Sequence, residues 1–225
     1  MEYNNYQIIR TSRRTIALEI TPEAGLIIRA PRRVSESDID QLIRKKNNWI
    51  RTKQEEARRR KDRVVVKKFI EGEEFLFLGS AHRLTLADRL PVRLSFDQEK
   101  GFLLFKAFQG HAKNIFKDWY RGQAYQVFTS RTAYYASRCG FQYQTIRISD
   151  ARTRWGSCST KQRLCFSWRL VMAPLAIVDY VIVHELAHLK EMNHSKRFWK
   201  LVETILPDYR QAERWLKDNR HVLEF

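Results

Sequence analysis

The segment Val181-Ile-Val-His-Glu-Leu-Ala-His188, running on to Leu189-Lys-Glu-Met-Asn-His194, constrains this chain more than any other. It sets H-E-x-x-H inside an apolar run, with Val178, Val181, Ile182, Leu186 and Leu189 at helical spacing. Residues four apart share one face of a helix, so His184 and His188 aim their rings at one point. Neutral imidazole is a common zinc ligand, and this spacing brings two of them to one ion without bending the backbone. Glu185 is rotated off that pair. It can reach a water at the ion and take its proton, but it is not placed to bind the ion as its neighbours do. Three of the six histidines in the chain fall between positions 184 and 194. One metal site accounts for all three and for the glutamate, whereas packed or solvated histidines leave the clustering unexplained.

The third ligand follows from where the helix ends. On a continuing helix His194, six residues past His188, would sit well off the ligand face. The helix is therefore expected to stop first, with a turn at Met192-Asn193, since Asn tolerates the left-handed conformation. The metzincin pattern has the same His-to-His spacing with a glycine at the turn, where this chain carries Glu191. Glu203, on the next helix, competes as the third ligand. His194 is preferred, because a histidine beside a turn has little structural reason to be there.

Composition narrows the setting. The chain has 225 residues, and 42 Lys+Arg against 25 Asp+Glu give a formal net charge of +17. Such a chain attracts polyanions, so nucleic acid, nucleotides and acidic protein surfaces are all candidate partners, as is a basic face that is merely solvated. Cys139, Cys158 and Cys165 form an odd set without C-x-x-C, which argues for a reducing, cytoplasmic setting and against a cysteine metal site. No apolar run reaches twenty residues, and Met1-Glu-Tyr-Asn-Asn5 has neither a basic start nor an apolar block, so neither a membrane span nor a secretory signal is expected.

Along the chain, Tyr6 to Arg29 reads as a hairpin turning at Pro22 and Gly25. Ser35-Glu-Ser-Asp38 opens a helix expected to run over 35–61, ending in the basic Arg58-Arg-Arg-Lys61. Strands are expected at Val64–Ile70, Phe75–Leu78, Arg83–Leu86, Val92–Leu94 and Phe102–Phe105. His82 and His111 are isolated and read as structural or surface residues. A long helix over about 113–138 ends at Gly140, and its aromatic residues read as core. Short strands at Thr145–Ile148 and Arg163–Trp168 flank Arg152–Cys158, and Pro174 opens the histidine helix. The reading is α+β: a small antiparallel β unit with one long helix over 1–110, then an α+β domain over 111–225. An edge strand beside the histidine helix can hold an extended peptide by backbone pairing.

Arg154-Trp-Gly-Ser-Cys-Ser159, Trp168-Arg-Leu170, Pro174, Tyr180 to His188, Asn193-His-Ser195 and Phe198-Trp199 together resemble the YgjP-type metal-dependent hydrolases. These are zincin-like proteins akin to the SprT and WLM metallopeptidases. Arg13-Arg14, Arg29-Ala-Pro31, Trp49-Ile50 and Gly72-Glu73 extend the likeness toward the N-terminus. The resemblance implies a zincin-like, minigluzincin-type metallopeptidase core, Zn2+ on His184, His188 and His194, and Glu185 as base. Ser167 departs from it, standing where an Asn is implied.

Three functions follow from these residues. The first is a zinc peptidase in which Glu185 moves a proton from water to the leaving amine. The second is hydrolysis of a nucleotide phosphoanhydride at the same site, motivated by the positive charge. The third is nucleic-acid binding around a structural metal, which the open, three-ligand site argues against. DNA-associated proteolysis combines the first and third. For the group that steadies an oxyanion, Tyr180 and Arg154 are the candidates.

Overall fold

The computed structural model describes residues 6–21, 23–63 and 66–223, with backbone alone at 59–63. Pro22, the side chains of the basic run after Arg58, and the first two residues of the expected Val64–Ile70 strand lie outside that description. The fold is mixed α and β, with small sheets and, among the described residues, six α-helices.

The chain divides into two compact units, 1–65 and 66–225. In the first, β1 (Tyr6–Thr11), β2 (Ala17–Ile20) and β3 (Leu26–Pro31) form a sheet in the order β1-β3-β2. The β2–β3 hairpin is antiparallel as expected, but β1 runs parallel to β3 on its other side. Leu26, Ile28 and Ala30 alternate inward against Ile39, Ile43 and Ile50. The expected single helix is two, α1 (Glu36–Lys45) and α2 (Asn47–Arg63). Lys46 interrupts it at φ −102°, ψ 10°, where its N–H is shared among the preceding carbonyls. Ser35 caps α1 by accepting from the Asp38 N–H.

Of the strand expected at Val64–Ile70, the described residues 66–70 form none. Glu73 removes it: its carboxylate accepts from the backbone N–H groups of Lys68, Phe69 and Ile70, which a strand would have given to a neighbour. Next come β4 (Glu74–Phe77), β5 (Ser80–Ala87), β6 (Leu94–Asp97) and β7 (Gly101–Phe105), in the order β4-β5-β7-β6. Here too one pairing, β5 with β7, is parallel, so the N-terminal sheets are mixed and not simply antiparallel. Helix α3 (Ala112–Cys139) ends on Gly140 in the left-handed conformation.

The expected boundary at residue 110 is displaced because β4–β7 and α3 share one core. Phe75 and Phe102 pack on Phe116, and the buried Tyr120 hydroxyl donates to the Leu76 carbonyl. The β4–β5 turn also docks on the segment leading into the histidine helix, where Leu78 and Gly79 N–H groups donate to the carbonyls of Val171 and Met172. Gly79 is required there. Its φ is +85°, and a Cβ would stand 2.8 Å from Pro174.

The last sheet holds β8 (Thr145–Ser149), β9 (Gly156–Cys158) and β10 (Arg163–Ser167), ordered β8-β10-β9. β9 is the edge. Helices α4 (Leu175–Ala187), α5 (Lys196–Ile205) and α6 (Tyr209–Asp218) complete the unit. No helix among the described residues is long and apolar enough to cross a membrane.

Candidate metal centre

α4 is apolar almost all round, as a helix enclosed by protein must be. Its exceptions are few: Asp179 near its start, and His184, Glu185 and His188 toward its end. Regular helix stops at Ala187, and a turn follows in which Leu189 and Lys190 donate to the carbonyls of Leu186 and Ala187. The helix thus ends earlier than the expected Met192-Asn193, through tightened i→i+3 bonds and not through a left-handed Asn. The chain then reverses into α5, whose N-cap Ser195 accepts from the Phe198 N–H.

This path returns His194 to the other two histidines. One ring nitrogen from each of His184, His188 and His194 lies within 4.8 Å of the others. Nε2 of His194 is 3.0 Å from Nε2 of His184. Nδ1 of His188 lies 3.1 Å from the Glu191 carbonyl oxygen. A carbonyl only accepts, so the proton is assigned to Nδ1 and the Nε2 lone pair is left for the cluster. Glu203, the competing ligand, is exposed on α5 and stands outside the cluster. Phe198 packs against His184 and His188, with ring centroids at 4.9 and 4.5 Å, and Trp199 stacks on His194.

Burial, reinforced by the neighbouring histidines, pushes the His184 imidazole down to about 3, and burial lowers His188 as well. Both rings are therefore neutral at physiological pH, the state in which imidazole binds a metal. The facing Nε2 atoms of His184 and His194 can share one proton at most, and no acidic group belongs to the cluster. A cation satisfies all three, so the donor set fits the metal that the sequence implies.

Glu185 is 6% exposed. Burial pushes its carboxyl up to about 8, with the charge of Arg154 pulling the other way. The backbone of β9 presses on it. A Cβ built on Gly156 would meet Oε1, Cγ and Cδ of Glu185 at 2.5, 2.6 and 2.8 Å. Gly156 is thus a residue of the site that periodicity does not reveal; the one hint is a glycine inside a short strand, which marks a close approach. Tyr180 is buried, its ring stacked on Tyr209, while Arg154 is exposed.

Two polar links fix the scaffold. Arg131 of α3 makes a bidentate pair with Asp179 of α4, both bonds at 2.6 Å. Asp150 accepts from Lys117, from the Trp168 indole and from the buried Arg169. Burial alone would raise this carboxyl, but those three bonds outweigh it and hold Asp150 well below the ordinary carboxylate range. Ser167 completes the hairpin without an amide side chain: its hydroxyl donates to the Ala151 carbonyl at 2.7 Å and its N–H to that of Trp155 at 2.8 Å. The cysteines are free. Cys158 stands opposite Leu164 and Cys165 opposite Ser157, so they point to opposite faces. His82 packs edge-on against Phe96, as a structural residue.

Comparison with known proteins adds three findings. A stretch of 68 residues is 35% identical to the UTP pyrophosphatase of Escherichia coli (strain K12), covering 30% of this chain and 41% of that protein. The structure of the metallopeptidase zymogen of Pyrococcus abyssi abylysin aligns over 40% of this chain and 93% of that one, with 22% identity and a TM-score of 0.38. The family described as "YgjP-like, metallopeptidase domain" matches residues 14–219. That span takes in both units, the histidine cluster, Glu185 and β9, and the chain belongs to the YgjP-like metallopeptidase family.

Proposed function

We propose that this chain is a zinc-dependent peptidase in which His184, His188 and His194 hold the ion and Glu185 carries the proton. The observation that carries the reading is the placement of Glu185: buried against Gly156 of an edge strand and next in sequence to one of three converging imidazoles. A carboxyl held there, within reach of the water a bound metal would carry, can accept a proton and return it. Zinc at such a site supplies a Lewis acid for the carbonyl and draws the pKa of a water toward neutrality.

The chain's own groups do the remainder. Glu185 takes the proton from the attacking water on a carboxylate oxygen and returns it to the leaving amine. The free side of β9 offers its backbone to an extended peptide, which aligns the scissile bond beside Glu185. Phe198 and Trp199 keep water from the back of the imidazoles. Arg154, exposed and positive near Glu185, is better placed than the buried Tyr180 to meet a developing oxyanion.

The name of the Escherichia coli relative favours a second reading, pyrophosphate release from a nucleotide by the same residues. One experiment separates the two. On protein with its metal content verified, cleavage of unfolded casein is compared with release of pyrophosphate from UTP. Peptide hydrolysis that falls by about 10²–10⁴-fold in Glu185→Gln, with the metal retained, supports the peptidase. UTP turnover without proteolysis supports the second reading. Full proteolysis by metal-replete Glu185→Gln removes the mechanism.

A further inference from the structure

The sheet β8-β10-β9 has two faces with different fates. Leu164 and Phe166 of β10 are fully buried, and Phe166 packs on Phe128 of α3. The alternate residues Arg163 and Cys165 point the other way. That face holds a groove of about 730 Å3, continuous with a second of about 400 Å3 through Thr160, Lys161 and Arg163.

Strand register explains what lines it. Cys165 of β10 stands between Arg147 of β8 and Ser157 of β9, and Arg163 stands beside Thr145. Arg147 and Arg163 are therefore diagonal neighbours on one sheet face, within reach of a shared anion. Lys161 joins them from the turn after β9, where Gln162 adopts a φ of +54°. All three cations are exposed and none makes an ion pair among the described residues. No Asp or Glu lines either groove. The hydroxyls of Ser157, Thr145 and Thr160 are free to donate.

Like charges at adjacent sheet positions repel, so this arrangement is relieved by an anion lying across it. Arginine and lysine flanked by hydroxyl donors are the groups that hold phosphate oxygens. No aromatic residue lines either groove, so the surface offers nothing for a base to stack on and reads phosphate alone. We infer that Arg147, Lys161 and Arg163 form a binding site for the phosphodiester backbone of a nucleic-acid duplex, on the sheet face opposite the metal-site helix. The net charge of +17 draws such a partner in, and the inference stands whether or not the metal centre is a peptidase.

The test is fluorescence anisotropy with a labelled DNA duplex at several salt concentrations, on the full chain, with UTP and inorganic triphosphate as competitors. The parent is expected to bind at low salt with affinity falling steeply as salt rises. Replacing Arg147, Lys161 and Arg163 together by Gln is expected to flatten the log–log salt slope by about 2.7, some 0.9 for each phosphate no longer neutralised. Arg147→Lys with Arg163→Lys keeps the charge and is expected to keep the slope, which separates the removal of charge from a damaged fold. The inference is overturned if the parent does not bind, if the triple variant binds with an unchanged slope, or if UTP binding falls in the variant while duplex binding does not.

Discussion

Gly156→Ala puts one methyl group where the Glu185 carboxyl now lies. The backbone raises no objection, since Gly156 is not among the positive-φ glycines. The new Cβ, however, would fall 2.5 Å from Oε1, 2.6 Å from Cγ and 2.8 Å from Cδ of Glu185. Carbon contacts relax at about 3.5–4.0 Å, so something must retreat by roughly 1 Å. The backbone of β9 is held by its pairing to β10, whereas the end of the Glu185 side chain is the freest party to the clash. The carboxyl moves, and it is the group proposed to carry the proton. A displacement of about 1 Å at a reacting group costs on the order of 10²-fold in rate, while overpacking of this kind costs about 1–3 kcal/mol in stability. The expected result is therefore a fall of about 100-fold in kcat on unfolded casein, a modest loss of stability by urea denaturation, and unchanged metal content by elemental analysis, because no histidine is touched. A variant that keeps full kcat would refute the close packing of β9 on Glu185 as a functional constraint. One that loses its metal would show that Gly156 acts on the ligands instead.

Three further outcomes follow from the geometry. His194→Ala is expected to lower bound metal well below one equivalent, and Glu203→Gln to leave it unchanged, by elemental analysis after dialysis; the reverse pattern would make the carboxylate on α5 the third ligand. In metal-free protein Glu185 has a folded pKa raised to about 8 against an unfolded value near 4.3, so its contribution is fully present below the unfolded pKa and is lost as pH rises through 8. Metal-free Glu185→Gln is accordingly expected to gain stability over the parent between pH 5 and pH 9, which urea denaturation across that range reads directly. Arg131→Ala leaves the nearly buried Asp179 without its bidentate partner; with Arg131 itself about a quarter exposed, the expected loss is about 2–3 kcal/mol, read as a lowered urea midpoint, and a loss under about 0.5 kcal/mol would mean the pair does not hold α3 to α4.

The histidine cluster is legible in the sequence because it is local. Helical spacing joins His184 to His188, and the need to end the helix brings in His194, all within one short stretch. The long helix α3, the capped α5 and the mixed α and β class are legible for the same reason: each is written in neighbouring residues. Alternation of apolar residues marks β1 and β3 as strands but carries no direction, so their parallel pairing is hidden. The run from Val66 to Ile70 has the composition of a strand, yet a single carboxylate, Glu73, claims its N–H groups. The division near residue 65 depends on Phe75 and Phe102 meeting Phe116, which no local pattern records.

The same distinction runs through the site. The histidines point to a metal on their own, but the surroundings of Glu185, the proposed proton carrier, are assembled from distant parts of the chain. Gly156 lies twenty-nine residues from it in sequence, and the Arg131–Asp179 pair that seats its helix spans forty-eight. A glutamate between two metal-binding histidines on an open, solvated helix would keep an ordinary carboxylate affinity for protons. Here β9 and the packed faces of α4 shut it away from water, and desolvation supplies the shift. H-E-x-x-H therefore specifies which atoms can gather around an ion, while the proposed proton chemistry depends on an edge strand that reaches Glu185 through Gly156, a residue with no side chain.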